Sequence, residues 1–252
     1  MRTRLLLALA ALALAASPAL AEPPAGFETI YAGPTTVNLA GRPVVADLAF
    51  HKDPKRAARR DLRLALTTDV TSFIEQTEQD LENWVATKQE RCGQRWAAGE
   101  PLIAFPEGAI RFALDLELEV WNCGWNGAGE PGRLTREAGG IDVTLIPYVE
   151  AGKLQARIGA LAVEKTSGVS KYLPLEFVLR QVLDNEIKKL NQNRKFYRAP
   201  EPLNGEGFVY ESIRAEETAE GRVVITAMYR ASGDANAFDR LAAKLRAEGL
   251  TQ

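Results

Sequence analysis

Large apolar and charged residues alternate without a break from Ile110 to Val120. Ile110, Phe112, Leu114, Leu116, Leu118 and Val120 fall on one side; Arg111, Ala113, Asp115, Glu117 and Glu119 fall on the other. Such alternation predicts a half-buried β-strand, because successive strand side chains point to opposite faces. At ~3.4 Å per residue the strand extends about 37 Å. A helix would mix Leu114 and Leu118 with Asp115 and Arg111 on one stripe. Shorter strands are predicted at Phe27–Ala32, Thr35–Ala40 and Val44–Phe50, separated by Gly33-Pro34 and Gly41-Arg42-Pro43. Asp61–Thr67 alternates on Leu62, Leu64 and Leu66, and Pro101–Phe105 reads as a short strand. Two further strands carry Ile141, Val143 and Leu145, then Leu154, Ala156 and Ile158. Beyond Ile158 the apolar parity moves to Leu161 and Val163, which predicts a bulge at Gly159-Ala160. Phe208–Ala215 and Arg222–Ala231 form a hairpin across an acidic turn.

Helical spacing appears three times. Val70–Glu90 carries the stripe Val70, Phe73, Ile74, Thr77, Leu81, Trp84 and Val85, with Thr68 or Ser72 as cap and a capping box at Ser72-x-x-Glu75. It ends near Cys92-Gly93. Leu173–Leu190 carries Leu175, Val178, Leu179, Val182, Leu183, Ile187 and Leu190, with Pro174 suited to the first turn. Asp234–Glu248 is a weaker amphipathic helix with Phe238, Leu241, Ala242 and Leu245. The expected architecture is α+β: one long curved antiparallel sheet packed on two long amphipathic helices, with a short C-terminal helix. Residues 22–252 are read as one such domain, and 22–60 as a weaker lead-in.

The first 21 residues read as a secretory signal peptide. Arg2 and Arg4 precede an apolar run, Leu5–Ala16, and a small-residue cleavage site, Ala19-Leu20-Ala21. The expected location is periplasmic or secreted, with cleavage near Ala21. The only cysteines are Cys92 and Cys123, which in an exported protein read as one disulfide, here pinning helix to sheet. The net charge of −2 argues against nucleic acid, which requires a basic face. No cofactor is expected.

Candidate chemistry is sparse. The single histidine, His51, stands beside Lys52 and Asp53 and reads as exposed; one imidazole makes a zinc site improbable on ligand count. His51–Arg60 is basic, with Asp53-Pro54 as cap and first residue of a helical turn; it allows at most peripheral contact with an anionic membrane surface. Ser167, Ser170 and Lys171 sit in a turn, without the spacing of a serine–lysine catalytic pair. Asp115, Glu117 and Glu119 read as the wet face of a strand, paired with cations across the sheet, ahead of a cation site. Trp84, Trp96, Trp121 and Trp125 read as a mini-core around the disulfide. These features give no catalytic set, although a carboxylate hydrolase needs only two converging acids.

The order of elements is similar to the tubular lipid-binding superfamily. The resemblance rests on the helix Val70–Glu90, the long strand Ile110–Val120 and the helix opening Leu173-Pro174-Leu175, over about Asp61–Ala231. It implies a curved sheet around a helix, with a seam for lipid. The expected function is therefore non-enzymatic binding of a lipid or other apolar small molecule in a groove between sheet and helices. Candidate groove residues are Phe73, Leu81 and Trp84 on the first helix, Leu179 and Val182 on the second, and Ile110, Phe112, Leu114, Leu116, Leu118 and Val120. The alternative is a structural or assembly protein of the cell envelope with a protein partner.

Overall fold

The computed structural model describes residues 23–39, 42–57, 60–124, 129–165 and 175–248. In chain order its elements are β1 (Glu28–Leu39), β2 (Arg42–Lys52), β3 (Asp61–Asp69), α1 (Thr71–Ala86), β4 (Gly93–Ala98) and β5 (Leu102–Ala104). There follow β6 (Ile110–Asn122), β7 (Gly132–Glu150), β8 (Lys153–Lys165), α2 (Leu175–Gln192), β9 (Val209–Glu217), β10 (Val223–Ser232) and α3 (Asn236–Glu248). The strands form two antiparallel sheets. One has the order β1-β2-β3-β10-β9; the other has β4-β6-β7-β8, with β5 also paired to β6.

This overturns the expected architecture. Among the described residues no single curved sheet packs on two long helices: there are two separate sheets, and the helices are few and short. The first core lies against the first sheet. Leu48 and Phe50 of β2, Leu62 and Leu64 of β3, and Tyr229 of β10 are buried under Phe238, Leu241 and Leu245 of α3. The helix that read as weakest thus closes the best-packed core, because its apolar residues recur at helical spacing and all point inward. Burying each of these large side chains stabilises by about 1.5–3 kcal/mol, as an upper bound. Glu206, nearly buried, fastens α3 from outside: its carboxylate accepts from Lys244 Nζ at 2.8 Å and Arg240 Nε at 3.0 Å. The Lys244 hydrogen bond, followed by that of Arg240, holds the Glu206 carboxyl below its ordinary range despite partial burial.

The sheets meet where β9 approaches the β7–β8 turn. Tyr210 N donates to Gly152 O at 3.2 Å, and Leu154 of β8 joins the first core. The turn itself, Ala151-Gly152, has both residues at positive φ, the conformation whose twist matches a two-residue hairpin.

Several local expectations change. His51 is buried: Nδ1 lies 2.9 Å from Thr29 Oγ1, and Nε2 lies 3.1 Å from Thr67 Oγ1. It faces inward because β2 runs on to Lys52, so Ala49 and His51 share one buried face while Leu48 and Phe50 fill the other. Burial lowers the imidazole pKa from its ordinary value. At the start of α1 the cap is Asp69, whose Oδ1 accepts from Thr71 N at 2.9 Å and Thr71 Oγ1 at 2.6 Å. Asp53 caps the turn Pro54–Ala57 as expected, accepting from Lys55 N at 3.0 Å.

The disulfide Cys92–Cys123 is present. It does not pin helix to sheet, since α1 ends at Ala86 and Cys92 lies just before β4. It staples β4 to β6 just past their pair Gly93–Trp121, with Cys92 one residue before Gly93 and Cys123 two after Trp121. The expected bulge appears as a register shift between Thr144 and Leu145 of β7, opposite Gly159.

Candidate functional site

β6 is the spine of the second sheet. Its apolar face continues across β7 and β8 in rows: Phe112 beside Val143 and Leu161, then Leu114 beside Ile141 and Val163. On β4 and β5, Trp96 stands beside Leu118 and Ile103 beside Phe112. This face is less well covered than the first core. Leu114, Val143 and Leu161 are buried, while Phe112, Leu116, Leu118 and Val120 are only half-buried.

What covers it is α2, which lies along β8. Its C-terminal end is clamped by Asn191, whose side chain brackets the backbone of Ala156. Ala156 N donates to Asn191 Oδ1 at 2.8 Å, and Asn191 Nδ2 donates to Ala156 O at 2.8 Å. The amide thereby completes a hydrogen-bonding pattern that a further strand would otherwise supply. Toward its N-terminal end α2 leaves Phe177, Val178 and Val182 about half or more exposed, at 62%, 51% and 52%. Between Val178, Leu179 and Val182 on one side and Leu116, Leu118, Trp96, Ile141 and Val163 on the other runs an open cleft of about 500 Å³. Gly139 pairs with Leu116, so the floor there has no side chain to fill the space. Glu137 and Glu164 stand at the cleft margins.

The opposite face of the same sheet is ionic. Arg136 makes a bidentate pair with Glu117 at 2.7 Å, Arg133 Nη1 meets Glu119 Oε1 at 2.6 Å, and Arg111 Nε donates to Asp142 at 3.1 Å. Trp121 Nε1 donates to Glu119 at 3.0 Å, and the Arg95 guanidinium stacks 4.2 Å from the Trp121 ring centre. The Arg133 hydrogen bond is the main cause of a lowered Glu119 pKa, as Arg111 is for Asp142. These carboxylates are committed to cross-strand cations. Among the described residues no cluster of three or more His, Cys, Asp or Glu could hold a metal ion.

The sequence candidates separate accordingly. Leu116, Leu118, Leu179 and Val182 line the cleft. Ile110, Phe112, Leu114 and Val120 share its sheet face but lie outside the lining. Phe73 and Leu81 sit half-buried on α1, outside the cleft lining; the side chain of Trp84, and all of Trp125, lie outside the described residues. The tryptophans do not form one mini-core: Trp96 faces the cleft, and Trp121 faces the ionic side. Leu173 and Pro174, the expected start of the second helix, also lie outside the described residues, as do Ser167, Ser170, Lys171 and all of residues 1–21, the expected signal peptide. Val163 and Val178 were visible as members of apolar stripes; the contribution of Gly139 carries no periodic signal.

No protein-family model and no curated protein matches the chain. Among solved structures, the crystal structure of a lipopolysaccharide binding protein is similar with a TM-score of 0.36 and 10% identity, over 86% of this chain and 48% of that one. This chain thus spans about half the length of that protein. A likeness at this level carries no argument about fold or ligand. The site is read from its own geometry.

Proposed function

We propose that this protein is an exported, non-enzymatic carrier or receptor that holds the alkyl chain of a lipid in the cleft between α2 and the second sheet. The observation that carries the reading is the cleft itself: about 500 Å³, lined mainly by apolar side chains from both α2 and the sheet, and open to solvent. That volume lies within the range of small-molecule sites. Each methylene moved from water into it contributes about 0.8 kcal/mol. A solid core elsewhere, under α3, means that the cleft is not needed to hold the first sheet together. Export is supported by the signal-like N-terminus and by the disulfide, which persists in oxidising compartments.

The test is native mass spectrometry of protein purified without detergent, followed by solvent extraction, on wild type and Val182→Glu. Val182 is 52% exposed, so the substitution should leave the fold intact while placing a charge on the cleft wall. Extractable lipid on wild type and its loss from the variant support the reading. Absence of lipid, together with no uptake of an added fluorescent fatty chain, overturns it. A second reading, an envelope assembly protein, is favoured by one observation: Phe177 and Leu134 are 62% and 67% exposed and belong to no described cleft lining. Cross-linking that captures one stoichiometric partner through both residues would support that reading.

A further inference from the structure

The cleft wall on α2 changes character along the helix. Val178, Val182, Asn185, Lys189 and Gln192 recur at i, i+4, i+7, i+11 and i+14, and therefore form one continuous face. Its N-terminal part is apolar and its C-terminal part is polar and cationic. A second recess, of about 360 Å³, begins at the same Val182 and is lined, among the described residues, by Asn185, Glu186, Lys188, Lys189 and Gln192. Val182 thus belongs to both the apolar cleft and the polar recess.

The charges in the recess do not cancel. Lys189 pairs with Glu186 at 2.6 Å, but both side chains are mostly exposed, at 71% and 61%, where such a pair is weak and exchanges readily. Lys188 has no ion-pair partner among the described residues, and Arg194 and Lys195 begin the next helical turn. Asn185 and Gln192 add amide donors. The step from Val182 to Lys189 is about 10 Å along the helix axis, within reach of a chain lying in the cleft.

From this gradient we infer that the ligand is a single-chain amphiphile with an anionic head, its tail against Val178 and Val182 and its carboxylate or phosphate beside Lys188 and Lys189. The inference rests on the lipid-binding reading above and adds the head-group chemistry and the direction in which the ligand lies. A neutral or cationic head would forgo the lysines and leave Lys188 without a counter-charge.

Displacement of a fluorescent fatty chain by four ligands of equal tail length tests this: dodecanoate, dodecyl phosphate, dodecanol and dodecyltrimethylammonium. Either anion should displace the probe more tightly than dodecanol, by about two- to fivefold per lysine engaged, and the advantage should shrink at high salt. Comparison of the two anions distinguishes a carboxylate from a phosphate head. Lys188→Glu with Lys189→Glu should abolish the preference for anions and leave dodecanol unchanged; Lys188→Gln with Lys189→Gln serves the same purpose without adding repulsion beside Glu186. Equal displacement by anion and alcohol, unmoved by either double variant, overturns the head-group assignment and leaves the cleft reading standing. Failure of all four ligands and of the probe to bind overturns both.

Discussion

Removing the Asn191 amide should loosen α2 without disturbing the first sheet. In Asn191→Ala, both backbone groups of Ala156 lose a 2.8 Å partner, and Ala156 is 8% exposed, so water replaces those partners poorly. Two neutral hydrogen bonds are worth about 1 kcal/mol each, more where a buried group is left unmet, which gives about 2 kcal/mol. If α2 unfolds together with the rest, the urea midpoint should fall by about 0.7–1 M, for a slope of roughly 2–3 kcal/mol/M. If α2 opens by itself, the midpoint should stay, and amide exchange across Leu175–Gln192 should accelerate about thirtyfold. Asn191→Asp separates the two halves of the clamp: it keeps the acceptor for Ala156 N, and its ionised carboxylate faces Ala156 O without a proton to donate. It should therefore destabilise at least as much as alanine at neutral pH and recover partly in acid. Urea titration and hydrogen exchange of the three proteins decide the matter. Wild-type stability and wild-type protection of α2 in Asn191→Ala would refute the claim that this amide holds the helix to β8.

Other expectations concern the parts that frame the site. Folding lowers the His51 pKa, so the unfolded chain takes up a proton first; the contribution of neutral His51 is complete above about pH 6.5 and is lost as pH falls from there through the folded value. Urea stability measured between pH 5 and 8, flattened over that window in His51→Gln relative to wild type, checks this. Glu206→Gln removes the anion from Lys244 and Arg240 and should cost about 1.5–3 kcal/mol. Because Glu206 titrates below its ordinary range, the wild-type advantage in thermal unfolding should fade as pH drops through and below that range. Opening the disulfide in Cys92→Ala with Cys123→Ala releases a constraint spanning 31 residues and should cost about 3–4 kcal/mol by chain entropy, read as a lowered denaturation midpoint. Val182→Glu, in contrast, should change stability by less than about 0.5 kcal/mol while abolishing uptake of a fluorescent fatty chain.

The elements were legible where period and burial coincide. Ile110–Val120 and the last hairpin stand out because apolar and polar side chains alternate between their faces; Asp61–Thr67 stands out through Leu62, Leu64 and Leu66, although Ala65 and Thr67 on its other face are buried too. β1 read as two strands because Gly33-Pro34 interrupts it; it continues because it is an edge strand, where a missing N–H is tolerated. β4, with the sequence Gly93-Gln94-Arg95-Trp96-Ala97-Ala98, has no alternation to find. Pairing was legible for the last hairpin, where β9 and β10 are joined by a short acidic turn, but not between strands distant in sequence. β3 takes β10 as neighbour, with Asp61 opposite Ser232, and nothing local to either strand encodes that choice. For the same reason the deepest core could not be placed. Alternation marks a face of β6 as apolar but does not say what covers it; α3, not α2, makes the tight cover, and it does so on the other sheet. His51 was misread because charged neighbours in sequence, Lys52 and Asp53, said nothing about Thr29 and Thr67 across the ladder. For the cleft, the apolar stripes of α2 and β6 supplied the walls. The gap between them depends on Gly139 and on the way the Asn191 clamp fixes one end of the helix.

Methyl resonances of the chain report directly on where an apolar ligand sits. In a titration with dodecanoate, the methyl groups of Leu116, Leu118, Ile141, Val163, Val178 and Val182 should shift together and saturate, while those of Leu48, Leu62 and Leu241 under α3 stay in place. Shifts confined to the α3 core, or a spectrum that dodecanoate does not change, would contradict an apolar ligand site between α2 and the second sheet.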